Sequence, residues 1–180
     1  MRARVRHVLL GADGVVQTAS DGGALGIEPS RASLELVRLL RAGGFGVHLG
    51  TNQESYRGAY MRDVLGYDAL FDVSCYSYDL GVTKPDPGFF VEAARRIGAD
   101  PAEVLFVDDT ERNVEAARTV GMPAFRWDVT QGHGLLLGLL AQHGITVDTA
   151  GAVPAGRTTG AVRPRGRDGQ SSATTQDSTG

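Results

Sequence analysis

The sequence predicts an α/β fold built on a parallel sheet, and three observations carry that prediction. Short apolar runs alternate with helix-patterned segments, each run is followed by chain suited to a crossover, and most of the helices have recognisable ends. The first strand is Val5 to Leu10. Ser30 then caps a helix whose apolar face is Leu34, Val37 and Leu40, stopped by Gly43 and Gly44. Gly46 to Leu49 is the second strand, followed by a helix from about Glu54 to Leu65 that ends at Gly66. On that helix Tyr56, Tyr60, Met61 and Val64 recur at helical spacing, which reads as a core stripe. Val73 to Tyr76 is the third strand. Asp86 and Pro87 start a helix through Phe89, Phe90, Ala94 and Ile97 that stops at Gly98. Val104 to Val107 is the fourth strand, Thr110 to Val120 the helix after it, and Pro123 to Arg126 the fifth strand. Trp127 is expected to pack, and His133 and His143 flank a last apolar helix.

A chain of 180 residues suits one domain. All twelve aromatic residues lie at or before Trp127, and the end of the chain is mostly Gly, Ala, Ser, Thr, Arg and Pro. The expectation is a core domain over 1–147 and a disordered tail over 148–180, because the tail has little to bury. With 18 basic and 21 acidic residues the formal charge is -3, which offers no basic field for a nucleic-acid backbone. The apolar run Leu135 to Ala141 is far shorter than the roughly 20 residues that span a bilayer, so no membrane partner is expected. Cys75 is the only cysteine, and charge interrupts the start MRARVRHVLLGADG where a secretory signal would be apolar. A cytoplasmic location is expected.

In an open parallel sheet, ligands bind beyond the carboxyl ends of the strands. There the first run leads into Gly11-Ala12-Asp13-Gly14, the second into Thr51-Asn52, the third towards Lys84-Pro85 and the fourth into Asp108-Asp109. Asp13, Asp108 and Asp109 at one sheet edge would repel one another unless a cation joined them, and hard oxygen ligands suit Mg²⁺. Thr51 and the backbone amides after it, with Asn52 and Lys84, are placed to hold phosphoryl oxygens. The chain uses 17 Arg and a single Lys, so Lys84 stands against its own composition, and a compact ammonium differs from a planar guanidinium at a crowded site.

Together these segments resemble the four motifs of the haloacid dehalogenase superfamily. VTKPDPGFF and VLFVDDTERNVEAAR are the most specific stretches, and LGTNQ supports them. The resemblance covers residues 5 to about 145 and implies a Rossmann-like three-layer α/β/α sandwich. For members that cleave phosphate esters it implies an attacking Asp, a second Asp as acid and base, here Asp13, and a Thr, a Lys and a last Asp that hold the phosphoryl group and Mg²⁺.

The chain departs from that pattern at the nucleophile, where Gly11 stands and no side chain can attack. Asp109 is then the principal metal candidate, with Asp108, the Asp13 backbone carbonyl and waters around it. The spacing leaves no room for a cap domain, only a short flap from about Val15 to Pro29, so the site is expected to be open. The expected function is a Mg²⁺-dependent phosphate-monoester phosphohydrolase whose turnover is impaired or water-mediated. The alternative is a catalytically silent protein on the same fold that binds a phosphorylated ligand or regulates a partner. Expected partners are a phosphorylated small molecule, an exposed phosphoester on a larger molecule, or a protein that covers the open site.

Overall fold

The computed structural model describes residues 4–19 and 24–149. Five parallel strands form the sheet: β1 (His7–Leu10), β4 (Gly46–Thr51), β5 (Val73–Tyr76), β6 (Val104–Asp108) and β7 (Ala124–Arg126), in the order β5-β4-β1-β6-β7. The register pairs Leu10 with Leu49 on one side and with Val107 on the other, so β1 is central and its carboxyl end has two neighbouring strand ends beside it. A small antiparallel hairpin, β2 (Gln17–Ala19) with β3 (Ile27–Pro29), lies between β1 and α1 (Arg31–Ala42). The sequence shows this stretch only as a Gly-containing flap.

Side chains alternate across a strand with period two, and the core divides accordingly. Val8, Leu10, Val47, Leu49, Leu105 and Val107 face one apolar cluster, which α1 and α7 (His133–Gln142) close with Val37, Leu40, Leu136 and Leu140. Leu9, Val104 and Phe106 face the other, closed by Phe89, Phe90 and Ala93 of α5 (Pro87–Ile97) and by Val114 and Ala117 of α6 (Glu111–Thr119). Helices cover both faces of the sheet, which makes the predicted Rossmann-like three-layer sandwich. Trp127 is fully buried, edge-on to His133.

The helix expected from Glu54 to Leu65 is shorter, α2 (Ser55–Asp63), and short helices α3 (Tyr67–Leu70) and α4 (Ser77–Leu80) flank β5. The expected core stripe on α2 is corrected: Met61 is buried, but Tyr56 is 58% and Val64 65% exposed. Val64 falls just past the end of the helix, and helical spacing marks a face without fixing how much of it a neighbour covers. Among the described residues, no helix is long and apolar enough to cross a membrane. The described residues fall within the unit Met1–Ala150, and the tail expected over 148–180 lies outside them apart from Asp148 and Thr149.

Candidate active site

Lys84 arrives on the loop before α5 and is almost wholly buried. Its Nζ donates to the Gly50 carbonyl at 2.8 Å and to Asp108 Oδ2 at 2.6 Å. The Phe89 and Phe106 rings lie 5.9 and 5.4 Å from the ammonium and shut out water on that side. Two of three N–H bonds are thus committed and one remains for a ligand. Asn52 sets the backbone that carries this lysine: its Nδ2 donates to the Lys84 carbonyl and its Oδ1 accepts from the Lys84 N–H, both at 2.8 Å. The Asn52 side chain, read from the sequence as a phosphate contact, is therefore occupied in fixing Lys84. The Gln53 N–H, one of the amides expected to face a phosphate, donates to Ser77 Oγ at 3.0 Å.

Thr51 ends β4 with 2% of its surface exposed, and its Oγ1 accepts from Gln53 Nε2 at 3.1 Å. The same Nε2 donates to Asp13 Oδ2 at 2.8 Å, so one carboxamide joins the ends of β1 and β4. The other Asp13 oxygen accepts from Gln17 Nε2 at 2.9 Å and from Arg57 Nη2 at 3.5 Å. Sequence reasoning missed Gln17, Gln53 and Arg57 in this role. Only Gln53 carried a signal, as the last letter of LGTNQ.

The three carboxylates expected to share a cation have different surroundings. Among the described residues, no three His, Cys, Asp or Glu groups are placed to hold a metal ion. Asp108 has its countercharge in Lys84, and its Oδ1 accepts from the Thr110 N–H at 3.0 Å and from Asn113 Nδ2 at 2.8 Å. Asp13 is bonded by the two glutamines and Arg57. Asp109 differs, since burial, reinforced by repulsion from Asp108, holds its carboxyl above the usual carboxylate range even though Thr110 Oγ1 bonds to it. Its side chain packs against Gly14, whose φ of 76° and close contact both call for glycine. Asp13 and Asp109 line one cleft of about 380 Å³ with Thr18, Arg126 and Asp128. Mg²⁺ is commonly held by one or two carboxylates with waters and substrate phosphate. The donors present fit such a phosphate-completed site and do not fit a cage made by protein alone.

Gly11 continues the β1–β6 ladder by donating its N–H to the Val107 carbonyl at 2.8 Å. A Cβ there would sit 2.7 Å from Asp108 Oδ2 and 3.3 Å from its Cγ. The carboxylate of the Lys84–Asp108 pair therefore lies against Gly11.

The carboxyl edge of the parallel sheet thus carries an Asp loop, a Thr and a buried Lys–Asp pair. The haloacid dehalogenase-like hydrolase family model matches residues 15–121, more than half of the chain, and the chain belongs to that family. Gly11 and Asp13 precede the matched residues. Among curated relatives, flavin mononucleotide hydrolase 1 of Arabidopsis thaliana is 33% identical over 88 residues, 49% of this chain and 36% of the relative. A sesquiterpene phosphatase of Aspergillus oryzae is 33% identical over 96 residues, covering 53% and 49%. Phosphoglycolate phosphatase of Escherichia coli is 31% identical over 85 residues, covering 47% and 34%. The alignments thus span half or less of these relatives' lengths. Two solved structures share the fold. An uncharacterized Corynebacterium glutamicum protein has a TM-score of 0.63 and 22% identity, covering 80% of this chain and 98% of its own. A HAD family enzyme of Bacteroides thetaiotaomicron, in complex with magnesium and inorganic phosphate, has a TM-score of 0.64 and 16% identity, covering 73% and 98%.

Proposed function

We propose that the chain is a phosphate-monoester phosphohydrolase of low turnover, in which water attacks in place of the missing carboxylate. The observation that supports it best is the bonded line from Asp13 through Gln53 to Thr51, beside a buried Lys84 with one N–H uncommitted. Lys84 and Thr51 bind the phosphoryl oxygens. Asp13 takes the proton of a water beside Gly11 as the water oxygen forms its bond to phosphorus. The bond to the ester oxygen breaks, and Asp13 returns the proton to the departing alkoxide, so the products are the alcohol and inorganic phosphate. Asp109 and the backbone carbonyl of Asp13 would hold Mg²⁺, which would neutralise phosphoryl charge. Without a nucleophile, catalysis rests on positioning and electrostatic stabilisation, and turnover is correspondingly slow.

No cap is part of this reading: the site is open and takes either a small phosphoester or one carried on a larger partner, in the cytoplasm. The relatives that act on phosphoesters support the reaction class. A second reading is favoured by the packing of Asp108 against Gly11, which leaves a settled structure with no attacking group: a silent binder of phosphorylated ligands. A phosphatase screen of the purified protein, with and without Mg²⁺, separates the two. Slow turnover supports the enzyme, and phosphate-ligand binding without turnover supports the binder.

A further inference from the structure

Gln17 is the first residue of β2 and has no exposed surface, with its Nε2 4.0 Å from Met61 Sδ. A carboxamide there is costly to bury, and its Oε1 has no partner, so core packing does not account for it. The bond its Nε2 makes to Asp13 does. A carboxylate only accepts hydrogen bonds, which fixes the amide with its NH₂ towards Asp13. The backbone repeats the attachment: Gly14 N–H donates to the Gln17 carbonyl at 2.8 Å, and Gln17 N–H to the Ala12 carbonyl at 3.0 Å. Gln53, 8% exposed and anchored through its N–H to Ser77, grips the other carboxylate oxygen from β4's side.

We infer that Gln17 and Gln53 are positioning residues that clamp the Asp13 carboxylate, one amide to each oxygen, so that a single rotamer faces the phosphoryl site. This rests on the proposed role of Asp13 as proton acceptor and explains how a site without a nucleophile still aims its base. A clamp of this kind confines the side chain about χ1 and fixes the carboxylate plane, which orients its free lone pairs at no further entropic cost on ligand binding.

The test is the Asp13 χ1 angle in solution, read from three-bond couplings between its Cγ and its backbone N and carbonyl carbon. The full chain should show one staggered rotamer, and Gln17→Met with Gln53→Met together should show averaging among rotamers. Each single variant, measured alone, should show a smaller loss, which keeps the test available if the pair together does not fold. A single unchanged rotamer in every folded variant, or averaging already present in the parent, would overturn the inference. Where turnover is measured, each single variant should lower kcat several-fold with KM unchanged, whereas a purely structural glutamine would lower the melting temperature and leave kcat of the folded fraction intact. The couplings need no phosphatase activity, so a failed activity screen and a failed clamp are distinguishable.

Discussion

Substituting Gly11 tests the packing and the chemistry together. In Gly11→Ala the new Cβ meets Asp108 Oδ2 at 2.7 Å, inside ordinary contact distance, so the carboxylate must shift by several tenths of an ångström. It is poorly free to do so, because Lys84, the Thr110 N–H and Asn113 hold it at 2.6, 3.0 and 2.8 Å. Overpacking of this kind costs about 1–3 kcal/mol, which in a domain of this size lowers the melting temperature by roughly 3–10 °C. Gly11→Asp meets the same contact and sets a second carboxylate beside Asp108, yet on the proposed reading it would also supply a nucleophile and a metal ligand. The expected result is a lower melting temperature for both variants, partial recovery with millimolar Mg²⁺ for Gly11→Asp alone, and Mg²⁺-dependent phosphatase activity gained only by Gly11→Asp. Differential scanning calorimetry and a phosphoester panel supply both readings. If Gly11→Ala melts with the parent, Asp108 is not held as argued. A folded Gly11→Asp that stays inert across the panel removes the phosphohydrolase reading in favour of the binder.

Lys84→Met leaves Asp108 buried without its countercharge and should cost about 3–5 kcal/mol by urea unfolding, while Lys84→Arg crowds the space between Phe89 and Phe106 and should weaken phosphate binding by calorimetry. Millimolar Mg²⁺ with phosphate should raise the parent's melting temperature, and Asp109→Ala should abolish that rise; an unchanged response would remove Asp109 as a ligand. Burial, with His7 alongside at 3.1 Å, lowers His48 from 6.5 to about 4, so the unfolded chain takes up a proton there before the folded one does. Stability contributed by neutral His48 is complete above pH 6.5 and falls as pH drops towards 4, by roughly 3 kcal/mol at about 1.4 kcal/mol per pH unit. Unfolding measured across that range should lose part of its acid slope in His48→Leu, with His133 and His143, which burial also lowers, supplying more of it, and a slope unchanged by the substitution would place the titration elsewhere.

The order of the five sheet strands and the longer helices was legible because burial dictates it, though the four-residue helices α3 and α4 were not: β5 matches the predicted range, and β4 and β6 run on beyond it to Thr51 and Asp108. β1 starts two residues later than expected, at His7. The hairpin from Gln17 to Pro29 was not legible, since its strands are three residues each and carry no alternation long enough to read. At the site, the sequence pointed to Asp13, Thr51, Lys84, Asp108 and Asp109 through their places after apolar runs. It could not show that Lys84 pairs directly with Asp108, because that depends on the side chain crossing 24 residues of sequence separation to a buried contact. Gln17 was invisible for the opposite reason: it occupies an inward-facing place where an apolar residue is expected, and only the Asp13 contact gives it meaning.

The reciprocal bonds between Asn52 and the Lys84 backbone have a consequence for motion. One donated and one accepted bond to the same residue are what a neighbouring strand supplies, so the lysine loop behaves as an extra rung beyond the end of β4. Local opening of the segment before α5 must break that rung, and the Lys84 amide proton should exchange with solvent at the rate of the β4 ladder rather than that of a surface loop. Thr51 and Lys84 therefore open or close as one cooperative unit. The opposite rim of the cleft belongs to a different element, the β2–β3 hairpin, whose Thr18 and Ala19 line it.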